Sequence, residues 1–461
     1  MIRLKFDSNH DILQGSIALP ASKSISNRAL LLHALCPAKQ TEEKCGNAKE
    51  EIRNLALCDD TRVMQKALEQ ASVLLSNKES EKEGSDSFPL VEKENKALNI
   101  NVEGAGTAMR FLTAYFACQE GFNVVLTGNE RMQQRPIALL VDALRSLGAD
   151  ITYLKGEGCP PLLIRGKKLQ GDRLTIDGSV SSQYVSALMM IAPYVSPEAD
   201  ADVPFRLSLL GKIASRPYIK MTQALMAHYG IEARWEGNDT LLIQRGNYQA
   251  HLLTVEGDWS SASYWLAMKA LAQKFHIPCY IELQGLSAKS IQGDSICSEL
   301  LSPQRIAQGD IEIDCSDCPD LIQTLAVTYF LLDVPFRIHG AESLRIKETD
   351  RIEALVTEMK KLGCVLKAES RLQNGHEEQA LVWDGTRNEA DGKSACISTY
   401  GDHRMAMSFA PAVLRFGQID IEHPEVVSKS YPSFWENLAR IGIQIRPLGS
   451  APRASSEERK L

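Results

Sequence analysis

Four stretches of the chain share one pattern. An amphipathic run, with apolar positions three and four apart, reaches a glycine and gives way to a short apolar–polar alternation. The stretches are Ala143–Ile151, Ala224–Ala233, Glu358–Leu366 and Asn437–Ile445, with glycines at 148, 230, 363 and 442. The pattern predicts a helix, a left-handed glycine just past its end, and then a β-strand. The interval from Gly148 to Gly230 nearly equals that from Gly363 to Gly442, which predicts two halves built from similar units. Strands alternating with helices predict an α/β class.

The starts of these helices carry a second pattern. Arg135-Pro136 and Arg216-Pro217 place proline at an expected first helical position, with arginine just before it. Lys23, in Ser22-Lys23-Ser24-Ile25-Ser26-Asn27-Arg28, opens the first helix. Lys347-Glu348-Thr349-Asp350-Arg351 opens the helix ending at Gly363, and Lys429-Ser430-Tyr431-Pro432 opens the one ending at Gly442. A helix N-terminus is already positive, so a cation there costs about 0.3–1 kcal/mol. Five such placements call for a compensating anion, held by free N–H groups and side-chain cations together. Ser179-Val180-Ser181-Ser182-Gln183 and Gly104-Ala105-Gly106-Thr107 add small polar residues near helix starts, where backbone N–H groups approach an oxyanion. Neither a full dinucleotide fingerprint nor a P-loop is present.

Polar segments punctuate this pattern. Ser76–Ala97 reads as an exposed, charged excursion, Pro37–Glu51 as a second polar insertion, and the chain after Gly449 as a disordered tail.

Composition narrows the function classes. The chain has 461 residues, 44% hydrophobic and 24% charged, which excludes a disordered or fibrous protein and predicts two or three domains. The apolar stretch Leu321–Leu332 falls short of the roughly 20 residues of a membrane span. The first seven residues carry charges where a signal peptide has its apolar stretch, so a cytoplasmic protein with no membrane partner is expected. A net charge of -7 and 6% aromatic residues argue against a nucleic-acid partner. Eleven cysteines, scattered singly through apolar runs, fit reduced thiols. Cys315 and Cys318 lack a second pair to complete a zinc site, and His376-Glu377-Glu378-Gln379 lacks a second histidine, so no metal site is expected.

Five segments, in order, resemble the motifs of the enolpyruvylshikimate-phosphate synthase family of enolpyruvyl transferases. They are Leu19–Leu30, Gly106–Arg110, Asp177–Gln183, Lys347–Arg351 and Gly401–Ala406, and the resemblance covers roughly Leu13 to Ile445. It implies a two-domain inverse α/β barrel, each domain made of three βαβαββ units. The first domain would be residues 1–21 plus 256–448, the second 22–255, with 449–461 as the tail. It further implies transfer of the enolpyruvyl group from phosphoenolpyruvate to the 5-hydroxyl of shikimate 3-phosphate. Phosphate is released, in the pathway to chorismate and aromatic amino acids, by a monomer needing no metal or organic cofactor.

The same resemblance assigns residues. Shikimate 3-phosphate would be held by Lys23, Ser24, Arg28, Ser181, Ser182, Ser215, Tyr218, Asp320 and Lys347. Phosphoenolpyruvate would be held by Lys23, Gly106, Arg131, Gln183, Arg351, Arg404 and Lys429. Asp320 matches the base for the 5-hydroxyl and Glu348 the acid that protonates C3, with Lys23 placed as a second proton carrier. Read alone, Asp320 is equally a helix cap. Burial would raise the pKa of Glu348, as an acid requires, while Lys347 would oppose it; the sequence leaves that balance open.

This chain departs from the family at Gly104, often asparagine; at Phe111, often proline; and at Ser343, asparagine in some members. The first two changes sit by the enolpyruvate pocket, so the resemblance does not fix the response to glyphosate, the family's phosphonate inhibitor. The sister transferase acting on UDP-N-acetylglucosamine carries a catalytic cysteine in a loop that here reads Gly128-Asn129-Glu130-Arg131-Met132. Cys118 is near in number but lies in an apolar run and reads as core. An RNA-end-processing protein on a similar fold would want a basic face with aromatic stacking. Asp320 and Glu348 together argue against a catalytically dead binding module.

Overall fold

All four helix–glycine–strand units are present in the computed structural model, which describes residues 1–8, 10–37, 52–83, 97–179, 181–198, 203–373, 376–390 and 395–448. The helices are Ala138–Ser146, Arg216–His228, Arg351–Lys361 and Phe434–Arg440. The strands that follow are Asp150–Tyr153, Ala233–Glu236, Lys367–Gln373 and Gln444–Pro447. Gly148 and Gly363 both have φ of +94°, where a Cβ is strained, and Gly230 and Gly442 occupy the same region.

Each unit is completed by neighbours in sequence. Leu98–Asn101 runs parallel to Asn123–Thr127 across the helix Gly106–Cys118, and the hairpin of Asp150–Tyr153 and Leu162–Arg165 closes antiparallel against it. Arg173–Asp177, Phe205–Leu210, Ala233–Glu236 and Thr240–Ile243 repeat that order. So do Ile311–Asp314, Phe336–His339, Lys367–Gln373 and His376–Trp383. The fourth sheet differs. Cys396–Ile397 and Gln418–Ile421 are parallel, but Ile2–Lys5 inserts between Gln418–Ile421 and Gln444–Pro447, antiparallel to both. Two further sheets are parallel pairs, Ile52–Arg53 with Leu253–Thr254 and Leu13–Ala18 with Cys279–Gln284. Among the described residues, the third unit of each half is thus reduced to a pair.

Burial shows why helices lie inside and sheets outside. Ile322–Leu331 and His403–Phe409 are buried along their whole length, and Gly106–Cys118 and Ser182–Ile191 nearly so. Strands such as Phe205–Leu210 and Ile311–Asp314 alternate buried and open positions, one face inward and one to solvent. The buried apolar residues form two clusters. One runs from Ala21 to Val255; the other joins Leu4–Leu19 to Ala262–Ile443. The chain crosses between them twice, side by side. Ser22 N donates to Glu256 O and Asp258 N to Pro20 O, both at 2.8 Å, and Gly257 approaches the Gly285 carbonyl too closely for any Cβ.

Several helix starts differ from the sequence expectation. Pro136 is not helical: Met132–Gln134 forms a 3-10 turn closed by Arg135, and the helix begins at Ala138, because Ile137, at φ -140°, lies outside helical geometry; its N–H donates to Gly158 O at 2.8 Å. Arg216 is itself the first helical residue and Pro217 the second. Lys347 lies ahead of its helix, because Asp350 caps it by accepting from Ile352 N and Glu353 N. Lys429 ends the 3-10 turn Pro424–Lys429, and its helix begins at Phe434. The excursion read over Ser76–Ala97 begins as helix, since Asp59–Glu83 is continuous; glutamate and lysine are strong helix formers even without an apolar face. Most of both polar insertions and the tail from 449 lie outside the described residues.

Candidate active site between the two cores

Helix N-termini from both cores converge on one cleft. Lys23 and Ser24 begin Lys23–Ala34, Gly106 begins Gly106–Cys118, and Ser181 caps Ser182–Ile191 by accepting from Gln183 N. Ser215, at φ +53°, precedes Arg216–His228 and donates its N–H to Ser316 O of the opposite core at 3.0 Å. From that core come Asp320, Lys347, Glu348, Arg351 and Arg404. Lys23, Ser24, Arg28, Gly106, Ser181, Ser182, Gln183, Ser215 and Tyr218 face them across the cleft. Arg131 and Lys429 are set slightly apart. They line an adjoining cavity that shares Arg135 and Glu348 with the main cleft. Every residue expected at the site is therefore in one of two adjoining spaces.

The wall nearer Arg28 holds cations without acidic partners. Arg28 is 2% exposed and donates to Thr222 Oγ1 at 2.7 Å, Ser24 O at 2.9 Å and Ser186 Oγ at 3.1 Å. Its guanidinium carbon lies 5.3 Å from the centre of the Phe111 ring. Arg110 rests on the Gly106 and Pro136 carbonyls, each at 3.2 Å. Burial lowers both pKa values to about 10. Two buried guanidiniums held by neutral acceptors leave positive charge uncompensated, which an anion entering the cleft would offset.

The opposite wall is a carboxylate–guanidinium network. Asp320 Oδ2 accepts from Arg404 at 2.9 Å and from the Tyr218 hydroxyl at 3.4 Å; its Oδ1 lies 3.3 Å from Arg351 and 3.9 Å from Lys347. Arg351 is fixed in turn by fully buried Asp402, through Nε at 2.6 Å, and reaches Glu348 at 2.9 Å. Lys429 lies 2.9 Å from Glu348 and donates to Gly104 O at 3.0 Å. Burial alone would raise the Asp320 pKa, but Arg404, Lys347, Arg351 and Lys23 outweigh it and hold the carboxylate well below its usual range. For Glu348, burial is likewise outweighed, by Lys429, Arg351 and Arg135, and its pKa is also well below the usual range. The balance left open by the sequence falls toward the charged form, and those three cations, rather than Lys347, head the set that tips it.

The cleft also holds groups that the expected site did not include. Asp60 lies 3.0 Å from Lys23; burial would lower the lysine pKa, yet Asp60, with Cys58 and Glu348, leaves it raised. His403 lines the cleft with neither ring nitrogen hydrogen-bonded, and burial, with Lys23 and Arg404, keeps it neutral. Arg135 has a buried Nε without a hydrogen-bond partner, and the Ser343 hydroxyl is similarly unmatched. His403 and Arg110 stood inside quoted motifs, so the signal was available. Asp60 carried none, because its pairing with Lys23 spans 37 residues.

No group of three or more potential metal ligands occurs among the described residues. Nor is any described helix long and apolar enough to cross a membrane. Cys118 stands outside the cleft lining, donates to Tyr115 O at 3.3 Å, and has its pKa pushed up to about 12 by burial. Such a thiol is a poor nucleophile.

Comparison with known proteins bears on the same residues. The family model described as EPSP synthase (3-phosphoshikimate 1-carboxyvinyltransferase) matches residues 8–438. The 3-phosphoshikimate 1-carboxyvinyltransferase of Bacteroides fragilis strain YCH46 is 43% identical over 452 residues, 94% of this chain and 97% of the relative. That of Pasteurella multocida is 36% identical, covering 93% and 96%. Among solved structures, EPSP synthase from Acinetobacter baumannii superposes with a TM-score of 0.66 at 18% identity, covering 97% of this chain and 100% of that one, a likeness of fold. With the match running through both cores and across the cleft between them, the chain belongs to the EPSP synthase (3-phosphoshikimate 1-carboxyvinyltransferase) family.

Proposed function

We propose that the chain transfers the enolpyruvyl group of phosphoenolpyruvate to the 5-hydroxyl of shikimate 3-phosphate, releasing phosphate, in the pathway to chorismate and aromatic amino acids. The observation that carries this reading is the placement of two ionised carboxylates, Asp320 and Glu348, in one cleft walled by cations. Shikimate 3-phosphate is taken by Lys23, Ser24, Arg28, Ser181, Ser182, Ser215, Tyr218, Asp320 and Lys347. Phosphoenolpyruvate is taken by Lys23, Gly106, Arg131, Gln183, Arg351, Arg404 and Lys429.

The 5-hydroxyl attacks C2 and gives its proton to Asp320 while C3 takes a proton from Glu348. In the second step C3 returns its proton to Glu348, the C2–O bond to phosphate breaks, and the departing phosphate takes the proton held by Asp320. Lys23 is placed to pass that proton. A glutamate held ionised is a poor acid, and the substrate itself supplies the remedy. The carboxylate and phosphate of phosphoenolpyruvate compete for Lys429, Arg351 and Arg135, the cations that keep Glu348 ionised, so binding raises its pKa as chemistry requires.

The two cores are taken as two domains, 1–21 with 256–448 and 22–255, acting as a cytoplasmic monomer. The decisive assay measures phosphate release from phosphoenolpyruvate with shikimate 3-phosphate and, separately, with UDP-N-acetylglucosamine. Release with the first alone is expected; none with the first would sink the reading.

A further inference from the structure

Residues 212–218 of one core and 314–320 of the other lie side by side and meet in matching order. The Lys212 ammonium is 3.9 Å from the Asp314 carboxylate. Ser215 N donates to Ser316 O at 3.0 Å, Arg216 N to Asp317 Oδ1 at 3.1 Å, and the Tyr218 hydroxyl to Asp320 Oδ2 at 3.4 Å. The second segment is braced within its own core. Asp314 accepts from Ser316 N at 2.8 Å, Cys318 N donates to Cys315 O at 3.0 Å, and Gly340 approaches Ser316 too closely for any Cβ. The first segment is not completed by its own core. Ser215 sits in the left-handed region at φ +53°, and its side chain does not cap the helix Arg216–His228. The first N–H of that helix is capped instead by Asp317, from across the seam.

We infer that Asp317 is a positioning residue: by capping the opposing helix it fixes the register between Asp320 and the wall that holds the shikimate substrate. The assignment rests on the proposed reaction, in which Asp320 takes the proton of a hydroxyl whose carrier is held in part by Ser215 and Tyr218. Asp317 is exposed and does not line the cleft, so it acts only through the helix it caps. It stands three residues before Asp320, and Arg216 stands two before Tyr218, so a shift at the cap is carried along both backbones to the reacting groups. Such a shift changes the distance from hydroxyl to carboxylate, on which the rate depends steeply. None of the residues expected to hold phosphoenolpyruvate lies on either segment, so its binding is left alone.

The test compares steady-state kinetics of the native protein, Asp317→Ala and Asp317→Asn with phosphoenolpyruvate and shikimate 3-phosphate. In Asp317→Ala, kcat falls about tenfold and KM for shikimate 3-phosphate rises severalfold, while KM for phosphoenolpyruvate stays within about twofold. Asp317→Asn keeps an acceptor oxygen for Arg216 N and retains at least about half of the native kcat. Native kinetics in Asp317→Ala overturn the inference, as does an equal rise in both KM values, the mark of general loosening. Asp317→Asn as impaired as Asp317→Ala also overturns it, because the bond, not the charge, sets the register. If Asp317→Ala does not fold, Asp317→Glu serves: it moves the carboxylate outward by one methylene and lowers kcat severalfold, and a native kcat overturns the inference. Native protein that releases no phosphate with shikimate 3-phosphate defeats the proposed reaction instead. An active native protein beside a native-like Asp317→Ala defeats the register alone.

Discussion

The Lys429 ammonium lies 2.9 Å from the Glu348 carboxylate while donating to the Gly104 carbonyl of the opposite core at 3.0 Å. One side chain thus ties the ionisation of the proposed acid to a contact between the two cores. Lys429→Met removes the foremost of the cations that lower the Glu348 pKa. The alkaline limb of the kcat/KM profile, along which Glu348 loses the proton it must donate, should move to higher pH, and KM for phosphoenolpyruvate should rise about tenfold or more, a lost charge-assisted bond. A raised KM with an unmoved alkaline limb would mean that Lys429 binds substrate without tuning Glu348.

Arg28 separates binding from stability. Its guanidinium is buried against neutral acceptors, so its desolvation is not matched by an acid. Arg28→Met should keep or raise the thermal midpoint of the empty protein. It should also abolish the further rise that shikimate 3-phosphate gives the native protein. Thermal melts with and without the ligand check both halves; a several-degree loss in the empty variant would contradict the first.

Asp60 raises the Lys23 pKa, so Asp60→Asn should lower it. The alkaline limb of the kcat profile then moves to lower pH, while the acid limb, governed by other groups, stays in place. Steady-state rates from pH 7 to 10.5 would show it, and identical alkaline limbs would remove Asp60 from the site.

Acid sensitivity follows from the two depressed carboxylates. Asp320 and Glu348 have folded pKa values below their unfolded ones, near 3.9 and 4.3. Their contribution to stability is therefore complete above the unfolded values. It is lost as pH falls from about 5 toward the folded ones. Urea unfolding between pH 6 and 3 should give a falling stability, with a shallower slope in Glu348→Gln. An unchanged slope would mean that the unfolded chain holds Glu348 in a similar field.

The sequence made local chemistry legible and distant geometry much less so. The glycine-terminated helices were readable because a left-handed C′ position and a 3.6-residue period are local properties of Gly148, Gly230, Gly363 and Gly442. The cationic residues were readable as a group because they break the helix-dipole preference, yet the exact helix starts were not. The Asp350 cap and the non-helical backbone of Ile137 decide where helices begin, and such features leave little trace in periodicity. Lys23–Asp60 and Arg351–Asp402 escaped because they join residues far apart in sequence. The net charge of -7 misled in a similar way, since it sums a whole surface while Arg28 and Arg110 sit uncompensated in one wall.

The strand Ile2–Lys5 holds its place between Gln418–Ile421 and Gln444–Pro447. During synthesis it emerges well before both of those partners. At about 5–20 residues per second that interval is roughly 20–90 s. The apolar cluster from Ala21 to Val255 draws on one continuous stretch and has all its residues in hand long before then. Ribosome-bound chains stalled far enough past residue 255 for it to have left the exit tunnel should therefore already protect that cluster from protease. The early strand would still be open to cleavage, an edge without a partner until its own distant end arrives.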